Sequence, residues 1–168
     1  FYLYITIRLF LKVSKLYFEN NNLVIMSKLS IFSLDFEDGG EIPKECGYKH
    51  GNEEPQIDFI AGETEPFPWA MIMDDPDAIA AVGKVWVHWL VYGNTGDASL
   101  PITVGTEGKN DFGEIGYGGP APPNGRHTYV FKLYELDMDL DLKEGYSKQE
   151  LEDAMKGHII TEAKLTGT

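Results

Sequence analysis

His127 and Tyr129 stand one residue apart, directly after the glycine- and proline-rich run Gly116–Gly125, and they open a segment of aromatic and β-branched residues. Side chains alternate faces along a strand, so these two groups point the same way, beside a loop whose glycine backbone leaves room for a ligand. His88 sits within a second apolar segment, Val85–Tyr92, and Asp74, Asp75 and Asp77 cluster at the end of a third, Ala70–Met73. Three chemistries are open to this set. Two imidazole donors and a tyrosine hydroxyl can hold an oxyanion, with a carboxylate bonded to one ring to fix its tautomer. Two histidines and an aspartate, His88, His127 and Asp75, can bind zinc and leave a position for water. The same groups can act as acid and base in a hydrolase. Plainer roles compete with all three: a histidine satisfied in the core, Tyr129 as core filler, and Asp75-Pro76-Asp77 as a turn.

Several other chemistries lack their residues. No HExxH, GxSxG, phosphate loop or GxGxxG pattern is present, and nothing supplies an obvious nucleophile. Asp137-Met138-Asp139-Leu140-Asp141 opens like a calcium loop, but Leu142 and Lys148 occupy the positions that need glycine and glutamate. Cys46 has no neighbour that must lower its pKa, which argues against a catalytic thiol.

Periodicity predicts the elements that must position these residues. Ser30–Phe36 alternates and reads as a strand ending in the turn Glu37-Asp38-Gly39-Gly40, and residues 43–56 read as a long surface loop. Ala70–Met73 reads as a short buried strand that Pro76 prevents from continuing. Val85–Tyr92 is the strongest strand, with Val85, Val87, Trp89 and Val91 on one face and Trp86, His88, Leu90 and Tyr92 on the other. Residues 93–125 form a very long irregular connection before a strand at Thr128–Leu136. Ser147-Lys148-Gln149-Glu150 is a capping box that predicts one amphipathic helix stopping at Gly157, and His158–Leu165 closes the chain as a strand.

The 168 residues, 43% of them apolar, suffice for one domain with a real core. A single cysteine excludes an intrachain disulfide and any multi-cysteine metal site, which suggests a reducing, cytoplasmic setting. The formal charge of −13 opposes nucleic-acid binding, although a pocket's local donors can still hold a small anion. Phe1–Val13 is too short and too interrupted by Arg8 and Lys12 for a spanning helix, and it lacks the basic start of a signal peptide. Met26-Ser27-Lys28 looks like a natural start, so residues 1–25 read as an upstream extension outside the fold and residues 26–168 as a single domain.

In order along the chain, Asp74-Asp75-Pro76-Asp77-Ala78, Val85-Trp86-Val87-His88-Trp89, Asn110-Asp111-Phe112-Gly113, Gly116–Gly125 and His127-Thr128-Tyr129 resemble the phosphatidylethanolamine-binding protein family. The match is best to its prokaryotic, Raf kinase inhibitor-like branch and runs from about Ser30 to Thr168. The resemblance implies a mainly β fold: two antiparallel sheets packed as a sandwich, with a few short peripheral helices. It further implies a non-enzymatic anion pocket with Asp75, His88, His127 and Tyr129 as ligand-binding groups and Gly119 lending backbone. Asp77, Trp86, Pro120 and Pro122 are expected in support. Implied ligands are phosphate-like groups, including phospholipid head groups and phosphorylated side chains, with no cofactor. A kinase or protease is the implied protein partner, with a homodimer as an option of the branch and no stable membrane insertion. Two departures bear on the pocket rim: Glu54-Pro55-Gln56-Ile57-Asp58-Phe59 stands where a Pro-Pro-x-x-x-Trp segment is usual, and Ile79 replaces a proline.

Overall fold

The computed structural model describes residues 14–19 and 22–27 as backbone, and residues 29–60, 67–94 and 105–168 in full. Strands β1 (Ser14–Glu19) and β2 (Asn22–Ser27) pair antiparallel in a sheet of their own. Of the segment read as an upstream extension, residues 1–13 lie outside the described residues, and most of the remainder belongs to this hairpin.

The domain is built on a five-stranded antiparallel sheet in the order β7 (Thr106–Glu107), β6 (Trp86–Asn94), β5 (Pro68–Asp75), β8 (Tyr129–Leu136), β9 (Ile159–Gly167). A second sheet pairs β3 (Ser30–Ser33) with β4 (Ile57–Ile60). Between the sheets lies one core, in which Ile31 and Ile57 meet Trp69, Met71, Met73, Trp89, Phe131 and Leu133. The opposite face of the large sheet carries a second core, where Ala70, Ile72 and Leu90 meet Tyr146, Leu151 and Met155. Burial on both faces explains why Trp69–Met73 reads as an unbroken apolar run instead of alternating. The expected sandwich with few helices is the observed architecture.

The helices are short. Helix α1 (Ile79–Val82) follows Asp-Pro-Asp directly and ends at Gly83, whose φ of +79° suits a residue without a Cβ. Helix α2 (Lys148–Met155) carries the expected capping box: Ser147 Oγ accepts from the Glu150 amide, and Glu150 Oε2 accepts from the Ser147 amide at 2.8 Å. Local sequence differs from the structure where tertiary pairing decides. β3 stops at Ser33, the loop at 43–56 contains a 3₁₀ turn at Lys44–Cys46, and β4 and α1 carry no period that predicts them. Residues 95–104 of the expected long connection lie outside the described residues. Among the described residues, no helix is long and apolar enough to cross a membrane.

Candidate functional site

The three acids at the end of β5 take separate duties. Asp74, buried at 1% exposure, accepts from Lys132 Nζ at 2.6 Å and from Lys148 Nζ at 2.9 Å, tying the sheet to α2 on the second-core face. Asp75, on the other face, bonds through Oδ2 to His127 Nδ1 at 2.7 Å and through Oδ1 to the Ala78 amide at 3.1 Å. Asp77 accepts from the Thr128 amide at 2.8 Å and so braces the start of β8 against the turn.

His88 reaches the Asp75 face through a break in register. Met73 pairs with Trp89, but Asp74 pairs with Val87, so His88 is an extra residue on β6. Such a bulge flips the side chains beyond it to the opposite face. Val87 accordingly joins Leu90 and Tyr92 in the second core, which corrects the faces predicted for this strand, and His88 and Trp86 turn toward the site. The backbone groups that the bulge releases are taken up by the connection that follows. Asp111 Oδ2 accepts from the Val87 amide at 2.8 Å, the Asp111 amide donates to the Val87 carbonyl at 3.0 Å, and Gly118 N–H donates to the His88 carbonyl at 2.9 Å.

Two asparagines hold the glycine-rich loop in place. Buried Asn110 accepts from the Phe112 and Glu114 amides and donates to Gly116 O. Asn52, in a left-handed conformation, donates to Tyr117 O at 3.1 Å and accepts from Gly119 N–H at 2.7 Å. The Gly119 amide is thereby engaged within the protein, and a Cβ there would collide with the Cys46 carbonyl oxygen.

A cavity of ≈ 210 Å³ opens beside Asp75 and His88, with Ala78, Val82, Trp86, Phe112, Ala121 and Pro123 completing its wall. That is smaller than the roughly 300–1,000 Å³ clefts that take drug-sized ligands, and it suits a head group. His127 and Tyr129, 5% and 1% exposed, do not line this cavity; His127 bonds to Asp75 and Tyr129 packs against His88. The His88 ring meets Tyr129 edge-on at 5.1 Å and Phe112 at 5.6 Å, and Tyr48 stacks on Phe112 at 4.0 Å. Pro120 and Pro122 do not line this cavity; they face a neighbouring cleft of ≈ 330 Å³. Trp86 does line it, and its Nε1 is a buried donor without a partner among the described residues.

Electrostatics refine the roles. Burial pushes the His88 ring below its ordinary value, with the Gly118 carbonyl opposing in part. The neutral ring donates Nδ1–H to Gly118 O, which leaves Nε2 as an acceptor. His127 bonds through Nδ1 to Asp75 and through Nε2 to Asn124 Oδ1 at 3.4 Å, so both ring nitrogens are engaged within the protein. The Tyr129 hydroxyl is buried without a hydrogen-bond partner among the described residues. The Ala121 backbone bears on it but falls outside bonding geometry, and burial, followed by the Asp75 charge, raises its pKa. Among the described residues, no group of three His, Cys, Asp or Glu side chains is arranged to hold a metal ion. The sequence reading missed Phe112, Ala78, Val82 and Pro123 as wall residues and Asn52 as the loop clamp. Of these, Phe112, Ala78 and Pro123 carried a signal, through their places in the Asn-Asp-Phe-Gly, Asp-Asp-Pro-Asp-Ala and Gly116–Gly125 motifs.

The chain is thus a two-sheet β sandwich with a buried His–Asp pair beside a small cavity at the ends of β5, β6 and β8. Residues 32–168 match the family described as phosphatidylethanolamine-binding protein, and the chain belongs to that family. It is 40% identical over 144 residues to a UPF0098 protein of Methanothermobacter thermautotrophicus, covering 79% of this chain and 92% of that one. Among solved structures it is similar to a phosphatidylethanolamine-binding protein homolog, CT736, of Chlamydia trachomatis, with 33% identity and TM-score 0.71, covering 83% and 95% of the two chains. It is also similar to E. coli YbcL, described as a member of the mammalian PEBP family, with 26% identity and TM-score 0.69, covering 84% and 97%.

Proposed function

We propose that the chain is a non-enzymatic binding module that holds a small oxyanion or phosphomonoester head group at the cavity beside Asp75 and His88. The observation that carries this reading is the Asp75–His127 pair at a cavity that Trp86 Nε1 also lines, a buried donor without a partner among the described residues; Tyr129 Oη, behind the edge-on His88 ring, is a second. Buried polar groups are ordinarily satisfied, and an orphaned donor at a cavity fits a ligand that satisfies it. A monoprotonated phosphate suits the lining: its P–O–H donates to His88 Nε2 while a bare oxygen accepts from Trp86 Nε1–H. Each charge-assisted bond contributes about 1.5–3 kcal/mol, much of it offset by desolvation and ordering, so bare phosphate binds weakly and rim contacts set useful affinity. A phosphorylated ligand presented by a kinase or protease partner in a reducing cytoplasm is the physiological setting this reading favours.

An NMR titration of the metal-free protein with phosphate and with O-phosphoethanolamine, following histidine ring signals, tests the reading. Saturable shifts at His88 and His127 that disappear in His127→Ala are expected. Rings that respond only after zinc is added would overturn it in favour of the metal-site chemistry.

A further inference from the structure

On the far side of the Pro120–Pro122 ridge lies the cleft of ≈ 330 Å³, and Ala121 lines both it and the first cavity. Its rim carries Lys44, Lys49 and His50, all exposed. Among the described residues, none of the three has an ion-pair partner, a property Lys44 and Lys49 share with Lys109, Lys143 and Lys156, but only Lys44 and Lys49 converge on one cleft. The acids of the same stretch, Glu45 and Glu53, bear on the Cys46 thiol and do not line the cleft. A chain of net charge −13 thus places two unpaired lysines at one concave place, one shared wall away from the proposed head-group cavity. At contact distance, side chains that line the cleft act on a ligand more strongly than the flanking acids, which do not line it.

We propose that this cleft is a second anion-recognition site, one that takes the acidic side chains of an extended peptide. That the same peptide also sets a phosphorylated residue in the first cavity rests on the function proposed above. Lys44 and Lys49 supply point charges, and His50 adds a ring edge. The Pro120–Pro122 ridge is the stiff divider that sets the spacing between the two anionic groups of the ligand.

Two synthetic peptides test this, each beginning with phosphoserine, one continuing with four glutamates and the other with four glutamines. The glutamate peptide is expected to bind roughly tenfold tighter at low salt, the order expected of two or three exposed ion pairs, and to perturb amide signals at Lys44–His50. In Lys44→Ala/Lys49→Ala the advantage vanishes while inorganic phosphate binding is unchanged; a matching thermal melt verifies folding. Equal affinities of the two peptides for the wild type, with phosphate still shifting the His88 ring, would overturn the cleft and leave the first cavity standing. Perturbation of Lys44–His50 by the glutamate peptide that survives in His127→Ala, with no phosphate response in the wild type, would support the cleft and condemn the first cavity alone.

Discussion

Replacing Gly119 by alanine tests the loop on which the whole site hangs. The added Cβ would enter the envelope of the Cys46 carbonyl oxygen and lie 2.8 Å from the Tyr48 nitrogen, both of them backbone atoms that no rotamer change can move. Relief requires separating residues 118–120 from 46–48. That breaks the bond from Tyr48 N–H to Pro120 O at 3.0 Å and the bond from Gly119 N–H to Asn52 Oδ1 at 2.7 Å. Two hydrogen bonds at about 1 kcal/mol each, with overpacking of about 1–3 kcal/mol, give a destabilisation of about 3–5 kcal/mol. For a domain of this size that is a drop in Tm of roughly 10–20 °C, readable by circular dichroism. Gly125 in the same loop is the control: its φ is +61° but no atom lies within 4 Å of a built Cβ. Gly125→Ala incurs only the left-handed backbone cost of about 1–2 kcal/mol. The Gly119 change also displaces the Gly118 carbonyl that receives His88 Nδ1–H, so the His88 ring signal shifts in that variant and not in the control. A Gly119→Ala melt no lower than that of Gly125→Ala would refute the close-approach argument.

Other perturbations have definite signs. Burial holds the folded His88 pKa below the ordinary 6.5, so on acidification the unfolded chain takes a proton before the folded one does. His88 therefore contributes a loss of stability as pH falls below about 6.5, and urea midpoints at about pH 7.5 and 5.5 should differ less in His88→Gln than in the wild type; equal differences would contradict this assignment. Asp74→Ala leaves Lys132 and Lys148 without their shared buried partner and should cost about 3 kcal/mol by urea unfolding, with phosphate binding retained because Asp74 serves the opposite face; loss of phosphate binding in a folded variant would join the two networks. Ser147→Ala removes the α2 cap and should cost about 1 kcal/mol, and Ser147→Asp should restore most of it.

Much of the scaffold was legible from local pattern. The apolar runs at 70–73, 85–92 and 128–136 are strands close to where periodicity placed them, and the α2 capping box closes as its four residues predict. These features depend on a few neighbouring residues, which is the range over which hydrophobic period and capping chemistry act. The ordered Asp-Pro-Asp, Trp-x-His and His-x-Tyr motifs, read in one dimension, also carried the family.

Placement of the chemistry depended on contacts far apart in sequence. The direction of a strand side chain follows from register with its partner, so the bulge that turns His88 toward the cavity is decided where Met73 and Asp74 meet β6. Three consecutive-looking acids separate because β5 is buried on both faces: Asp74 meets Lys148, 74 residues away, and Asp75 meets His127, 52 residues away. Asn52 finds Gly119, and Lys44, Lys49 and His50 find the rim of a common cleft, only after the loops close over the sheet. By itself the amino-acid sequence determined which residues could do chemistry and which segments form strands, since residue type and period are local properties. Which of those residues share a face, which are already satisfied and which are left to meet a ligand was decided by the tertiary structure, because long-range pairing sets register and burial.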